Sequence, residues 1–144
     1  MNGHVTTLQN PLISIVDDDA SVRISTRRLV SAFGFRAQTF ASAWEFLDSN
    51  RGADTACLIL DLRMPDLDGL DLQRCLARDK HRRLPIIFVT ANASEEEQRL
   101  AMKAGAVDFL RKPVREQALF DAIEKALRQN FNLGQRHGES ALND

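Results

Sequence analysis

Leu12-Ile13-Ser14-Ile15-Val16-Asp17-Asp18-Asp19 is a short run of strand-forming residues that stops in three consecutive acids. The same shape recurs along the chain. Cys57-Leu58-Ile59-Leu60 runs into Asp61, Ile86-Ile87-Phe88-Val89 into Thr90, and Val107-Asp108-Phe109-Leu110-Arg111 into Lys112-Pro113. Runs this short and this apolar suit strands covered on both faces, as in a parallel sheet packed between helices. In an open parallel sheet the carboxyl ends of the strands form the crevice where ligands bind. Folding is therefore expected to gather three carboxylates (Asp17, Asp18, Asp61), the Thr90 hydroxyl and the Lys112 ammonium at one edge. That set suits a divalent cation and a phosphoryl group.

Helical patterns fill the gaps between the runs. Val22, Thr26, Leu29, Val30 and Phe33 recur at helical spacing, and Gly34 closes that helix. Phe35 to Phe40 reads as a second strand, and Ser42 can cap a helix holding Trp44, Phe46 and Leu47. Met64-Pro65 and Asp68-Gly69 mark a loop before a helix with Leu72, Cys75 and Leu76 on one face. Pro85 opens the fourth strand. Ser94 followed by Glu95, Glu96 and Glu97 is a capping-box start to a helix ending near Gly105. Ala106 to Leu110 is the last strand, and Leu119, Ala122, Ile123, Ala126 and Leu127 form the apolar stripe of a final helix. Strand and helix alternate five times, which predicts an α/β fold: a doubly wound five-stranded parallel sheet with helices on both faces.

The chain of 144 residues fits one domain with a single core, and its net charge of −1 argues against a general attraction to nucleic acid or anionic membranes. No apolar stretch approaches the roughly 20 residues that cross a bilayer, and Met1 to Gln9 lacks the pattern of a secretory signal. Cys57 in a strand run and Cys75 on an apolar helix face read as buried free thiols in a reducing cytoplasm. His4, His81 and His137 fall in a tail, a basic loop and a tail, and read as solvated side chains rather than metal ligands.

Asp17-Asp18, Asp61 within Leu60-Asp61-Leu62-Arg63-Met64-Pro65-Asp66-Leu67-Asp68-Gly69, Thr90-Ala91 and Lys112-Pro113 resemble, in order and approximate spacing, the motifs of response-regulator receiver domains. Any one of them is weak alone; all four at successive strand ends are specific. Ala101-Met102-Lys103-Ala104-Gly105-Ala106-Val107-Asp108-Phe109 is similar to the branch that includes the nitrogen-fixation regulator FixJ. The resemblance implies a flavodoxin-like (βα)5 sheet of order 2-1-3-4-5. It covers about residues 11–130, leaving 1–10 as an N-terminal tail and 131–144 as a tail or truncated linker. Residues 131–144 hold no helix-turn-helix, so a DNA-binding output implies a domain beyond this chain. A stand-alone receiver acting by protein contact is the other reading.

The resemblance also implies roles. Asp18 and Asp61 would bind Mg²⁺ (or Mn²⁺) directly, Asp17 would act through water, and the Arg63 backbone carbonyl would complete the site. The physical need is plain: two unit charges about 4 Å apart repel by roughly 4 kcal/mol at an effective dielectric near 20, and carboxylate, carbonyl and water oxygens are what Mg²⁺ prefers. Asp19 reads as the cap of the first helix rather than a ligand. Asp61 would accept a phosphoryl group from a sensor histidine kinase or phosphotransfer protein. Lys112 would pair first with Asp61 and then with the phosphoryl group, to which Thr90 would donate its hydroxyl. Such transfer depends on positioning and electrostatics, so the domain is a signalling acceptor with weak intrinsic transfer and hydrolysis rather than an enzyme proper.

Phe109, three residues before the lysine, would move from exposed to buried when Thr90 is drawn in; it reads otherwise as an ordinary core phenylalanine. The signalling surface would be that of the fourth helix, fifth strand and fifth helix, with Arg99, Lys103, Asp108 and Arg111, a solvated face or a self-complementary dimer contact. Ala91 leaves room for phosphoryl entry. Arg63 and Asn92 sit where receivers tune attack by water, and a long Arg63 side chain is expected to screen the phosphoryl group and slow its loss. Three rival readings weaken on the residues. A haloacid-dehalogenase-type phosphatase needs a second Asp where Arg63 stands. A flavodoxin-like cofactor carrier needs a Gly-rich phosphate loop where three aspartates stand. A phosphorylation-independent binding module usually lacks the acceptor, the lysine or the acid pair, and all are present.

Overall fold

A computed structural model describes residues 10–78 and 83–143, with side chains to residue 129. The elements follow the alternation of the sequence: β1 (Leu12–Val16), α1 (Ala20–Ala32), β2 (Arg36–Phe40), α2 (Ala43–Asp48), β3 (Thr55–Leu60), α3 (Gly69–Ala77), β4 (Ile86–Thr90), α4 (Glu95–Lys103), β5 (Asp108–Arg111) and α5 (Glu116–Asn143). The five strands form one sheet of order β2-β1-β3-β4-β5, with every pairing parallel. The doubly wound order 2-1-3-4-5 is thus present.

Each face of the sheet has its own core. Val16, Leu58, Leu60, Ile86, Phe88 and Phe109 pack on one side with Phe46 of α2, Leu72 of α3 and Ala101 of α4. Ile13, Ile15, Ile59, Ile87 and Val89 point the other way, against Val30 of α1 and Leu119, Ile123 and Ala126 of α5. Alternation along each strand sends successive side chains to opposite faces, so a run apolar at nearly every position is what a sheet covered twice requires. One buried polar contact ties two helices: the Gln73 side chain of α3 donates to the Ala101 carbonyl of α4 at 3.0 Å. That carbonyl also accepts the Ala106 N–H at 3.1 Å.

The helix starts are capped as the sequence suggests. The Asp19 carboxylate accepts the N–H groups of Ser21 and Val22, Ser42 accepts that of Glu45, and Ser94 with Glu97 forms a full capping box. Asp19 is therefore a cap, as expected. Asp68 and Asp71 form a second capping box on α3. Gly34 and Gly105, at φ +98° and +105°, end α1 and α4 in the left-handed region that glycine enters without steric cost.

Several details depart from the reading of the sequence or add to it. The second strand begins at Arg36 rather than Phe35, and the fifth runs Asp108–Arg111 rather than from Ala106 to Leu110. Trp44 lies on the outer side of α2, about half exposed, while Phe46 enters the core. Cys57 is a buried free thiol, with burial pushing its pKa far above the usual range, but Cys75 is only partly buried. The helical backbone of α5 runs on through Asn143, beyond the apolar stripe that ends at Leu127. His4, His81 and the side chain of His137 lie outside the described residues.

Candidate functional site

Parallel pairing aligns the carboxyl ends of β1, β3, β4 and β5, and the residues just past those ends converge. Carboxylate oxygens of Asp17, Asp18 and Asp61 lie within 4.8 Å of one another. Asp17 and Asp61 are buried, at 3% and 6% exposure, whereas Asp18 faces outward. Backbone bonds fix the two buried acids: the Asp17 N–H donates to the Phe40 carbonyl at the end of β2, and the Asp61 N–H to the Val16 carbonyl at the end of β1. Asp17 is bound on every side. One carboxylate oxygen accepts the Asp19 N–H at 2.9 Å, the other accepts Lys112 Nζ at 2.8 Å, and its carbonyl accepts Arg23 Nη1 at 2.8 Å.

Lys112 crosses to the cluster from beyond β5, after a backbone bond from its N–H to the Thr90 carbonyl, and its peptide bond to Pro113 is cis. Its ammonium stands 2.8 Å from Asp17 Oδ2 and 3.5 Å from Asp61 Oδ2, so Asp17 holds the closer contact. Burial pulls the Lys112 pKa down, but the Asp17 hydrogen bond and the charges of both acids overcome it and hold the group above its ordinary value. Asp61 is pushed the other way. Burial and then the Asp17 charge raise its pKa above the usual carboxylate value, against Lys112, the Thr90 hydroxyl and the Arg63 N–H. One lysine does not fully compensate two buried acids and a third at the rim.

Thr90, the last residue of β4, is fully buried. Its hydroxyl donates to the Asn92 carbonyl at a long 3.5 Å, and it stands close enough to Asp61 to help lower the pKa of that carboxyl. Phe109 lies inside, at 8% exposure, its ring 5.7 Å from that of Phe88 and under the Arg111 guanidinium. Ala91 is exposed and lines, with Lys112, Pro113, Val22 and Leu29, an open groove of about 890 Å³ between α1 and the start of α5.

The structure therefore brings together Asp17, Asp18, Asp61, Thr90 and Lys112. The Arg63 side chain turns to the loop after β4 instead, donating from Nε to the Asn92 carbonyl at 3.2 Å and from Nη2 to Glu97 Oε1 at 2.6 Å. Asn92 takes part through its backbone oxygen. Gly69 has a role that its reading as a loop marker did not include. A Cβ there would lie 2.5 Å from the Asp61 carbonyl oxygen and 2.9 Å from the Leu62 Cα, so only glycine lets the start of α3 close on the acceptor turn. Arg23 went unnoticed, since an arginine one turn into a helix shows no sign in sequence that it reaches back to a carbonyl.

Three acidic oxygens this close, two of them buried and one with a raised pKa, suit a small hard cation, so the residues present fit the ion the motifs imply. Comparison with known proteins agrees. Residues 13–124 match the family model described as the response regulator receiver domain. The transcriptional regulatory protein TdiR of Thauera aromatica is 39% identical over 127 residues, covering 88% of this chain and 56% of its own length. The response regulator protein TodT of Pseudomonas putida is 45% identical over 118 residues, 81% of this chain and 51% of its own. The chain thus spans about half the length of these curated relatives. The crystal structure of FixJ-N superposes with a TM-score of 0.74 at 37% identity, over 83% of this chain and 95% of that one. Sheet order, site geometry and these similarities agree, and the chain belongs to the response-regulator receiver domain family of two-component signalling.

Proposed function

We propose that this receiver accepts a phosphoryl group on Asp61 from a sensor histidine kinase or phosphotransfer protein, with Mg²⁺ (or Mn²⁺) required, and passes the change to an output. The observation that carries the reading is the convergence of Asp17, Asp18 and Asp61 with the Lys112 ammonium. An Asp61 carboxylate oxygen attacks phosphorus, the bond from phosphorus to the donor's histidine nitrogen breaks, and that nitrogen keeps the electron pair. Hydrolysis later breaks the new acyl phosphate bond and releases inorganic phosphate. Bound cation would neutralise charge on the phosphoryl oxygens; Asp18 and Asp61 would hold it directly, Asp17 through water and Arg63 through its carbonyl. Asp17 keeps Lys112 oriented at the entrance, where the ammonium is 3.5 Å from Asp61 and can follow negative charge as it builds there. The groove between α1 and α5 gives a donor its approach, past Ala91.

Signalling would run through Thr90 and Phe109 to the face of α4, β5 and α5. Because the Phe109 ring is already inside, phosphorylation would hold it there by committing the Thr90 hydroxyl to a phosphoryl oxygen. TdiR is named a transcriptional regulatory protein and TodT a response regulator, and the chain matches about half of each. That supports control of transcription through a DNA-binding domain beyond the receiver; a phosphorylation-dependent homodimer and a cytoplasmic setting complete the proposal. Arg63, lying across the loop after β4, would shield the acyl phosphate, so Arg63→Ala should shorten its lifetime.

The test is treatment with a small phosphoryl donor and Mg²⁺, following intact mass and oligomeric size. A gain of one phosphoryl group, lost in Asp61→Asn, is expected. No modification even from a phosphorylated histidine donor would leave a phosphorylation-independent binding module as the better account.

A further inference from the structure

The three acids of the cluster are not held alike. The Asp17 carboxylate accepts the Asp19 N–H and the Lys112 ammonium, and that of Asp61 accepts Lys112 and, at 3.4 Å, the Arg63 N–H. Among the described residues, the exposed Asp18 carboxylate has no hydrogen bond or ion pair of its own. Its place beside the other two, with oxygens within 4.8 Å, is therefore set by its main chain. Arg23, half-buried one turn into α1, holds that main chain. Its N–H donates to the Asp19 carbonyl at 3.0 Å, the ordinary helical bond, and its Nη1 reaches back to the Asp17 carbonyl at 2.8 Å. One residue thus grips the carbonyls on either side of Asp18.

We propose that Arg23 is a positioning residue for the cation, acting through Asp18. The inference rests on the metal-dependent acceptor reading above. The Asp17 carbonyl and the Asp18 nitrogen belong to one planar peptide unit, so a guanidinium on that oxygen fixes the plane from which the Asp18 side chain departs. The unit is a short link between two anchors. Asp17 is tied to the end of β2 through its N–H, and Asp19 is tied to α1 as its cap. Between them the Arg23 side chain is the donor that selects the orientation of the link. Without it the peptide can turn, and a cation would have to order the backbone as well as the Asp18 side chain.

Charge alone predicts the opposite sign. A guanidinium beside the acids repels an incoming cation, so its removal should by itself tighten Mg²⁺ binding. Loss of the positioning should weaken it. Arg23→Met keeps an unbranched stem and a good helix former while removing both the donor and the charge. Arg27→Met removes the same charge one turn further along α1, where the side chain is exposed.

The experiment is titration of the full chain with Mg²⁺, followed by backbone amide resonances, and separately the rate of Asp61 phosphorylation by a small donor over a series of Mg²⁺ concentrations. Arg23→Met should bind Mg²⁺ about fivefold more weakly, the factor that roughly 1 kcal/mol sets, and Arg27→Met no more weakly than wild type. The Mg²⁺ concentration giving half the maximal rate should rise by the same factor in Arg23→Met, while the rate at saturating Mg²⁺ stays that of wild type. Mg²⁺ bound by Arg23→Met as tightly as by wild type, or more tightly, would overturn the proposal, and so would an equal loss in Arg27→Met. A lowered rate at saturating Mg²⁺ would overturn it too, because general loosening of Asp61 and Lys112 is what a merely structural role produces. A wild type that binds Mg²⁺ but takes no phosphoryl group would instead sink the acceptor reading, with the role of Arg23 decided by the titration alone. A wild type that binds no Mg²⁺ would sink the metal requirement and this role together.

Discussion

Replacing Asp61 by asparagine should make the metal-free protein more stable. Its carboxylate is 6% exposed, and its oxygens come within 4.8 Å of those of Asp17 and Asp18. At an effective dielectric near 20, charges about 4.8 Å apart repel by ~3.5 kcal/mol, and Lys112 at about 3.5 Å attracts by ~5 kcal/mol. The solvated Asp18 adds on the order of 1 kcal/mol of repulsion, so the pairwise terms nearly cancel. What is left is the removal of a charge from water, which agrees with burial being the leading cause of the raised Asp61 pKa. Asparagine keeps the shape and drops that penalty, and Lys112 stays paired with Asp17 at 2.8 Å. A gain on the order of 1–2 kcal/mol follows, or about 3–10 °C in Tm for a domain of this size. The pH dependence has a definite sign. With the folded-state pKa raised, the folded protein holds the Asp61 proton longer than the unfolded chain does. Stability therefore falls as pH rises from the ordinary carboxylate value through the raised one, and stays lowered above it. The advantage of the variant should be full at pH 7 and vanish below the ordinary value. Thermal unfolding followed by circular dichroism, with chelator and over a pH series, reads this directly. Millimolar Mg²⁺ should raise the wild-type Tm more than that of the variant. A variant no more stable than wild type at pH 7 in chelator would refute the reasoning.

Two further substitutions test neighbouring parts of the site. Lys112→Met leaves Asp17 and Asp61 without their shared cation and should destabilise by about 2–3 kcal/mol in urea titrations at pH 7. Because the Lys112 pKa is raised, its contribution is full below the ordinary lysine value and fades as pH rises through the raised one; a variant equal to wild type at pH 7 would show the pair to be idle. Gly69→Ala puts a Cβ 2.5 Å from the Asp61 carbonyl oxygen and should cost about 2–3 kcal/mol while slowing phosphorylation of Asp61 by a small donor. Unchanged stability and unchanged rate together would mean that the turn yields without consequence.

The ends of the strands were the most legible part of the chain. Period and composition located β1, β3, β4 and β5 within one or two residues, and parallel pairing then brought Asp17, Asp61, Thr90 and Lys112 together without further information. Helix starts were legible where the capping residues follow the common pattern, as at Ser94 with Glu97; the box at Asp68 with Asp71 was missed because aspartate stands where glutamate or glutamine is usual. The extent of α5 was not legible. Backbone hydrogen bonds along a helix do not require an apolar stripe, and the stripe is what the reading followed to residue 127. Which acid holds the lysine more closely also escaped, since a strand end fixes a Cα and not the reach of a long side chain. Bonds from Arg23, Arg63, Gln73 and Arg111 to main-chain carbonyls left no trace, because every residue carries that acceptor.

The buried amide of Gln73 pins α4 to α3. Helices that touch only through hydrocarbon can slide over one another in small increments, each nearly level in energy. A hydrogen bond 3.0 Å long in a dry place cannot stretch far before it is lost, and an amide left there without a partner costs about 1–3 kcal/mol. Movement of α4 against α3 must therefore break that bond before the helices can part. Gln73→Met leaves the Ala101 carbonyl without the side-chain donor and should lower stability by about 1 kcal/mol in urea titrations; unchanged stability would show the bond to be idle. A side chain away from the acidic cluster thus sets how freely α4 can shift on its neighbour.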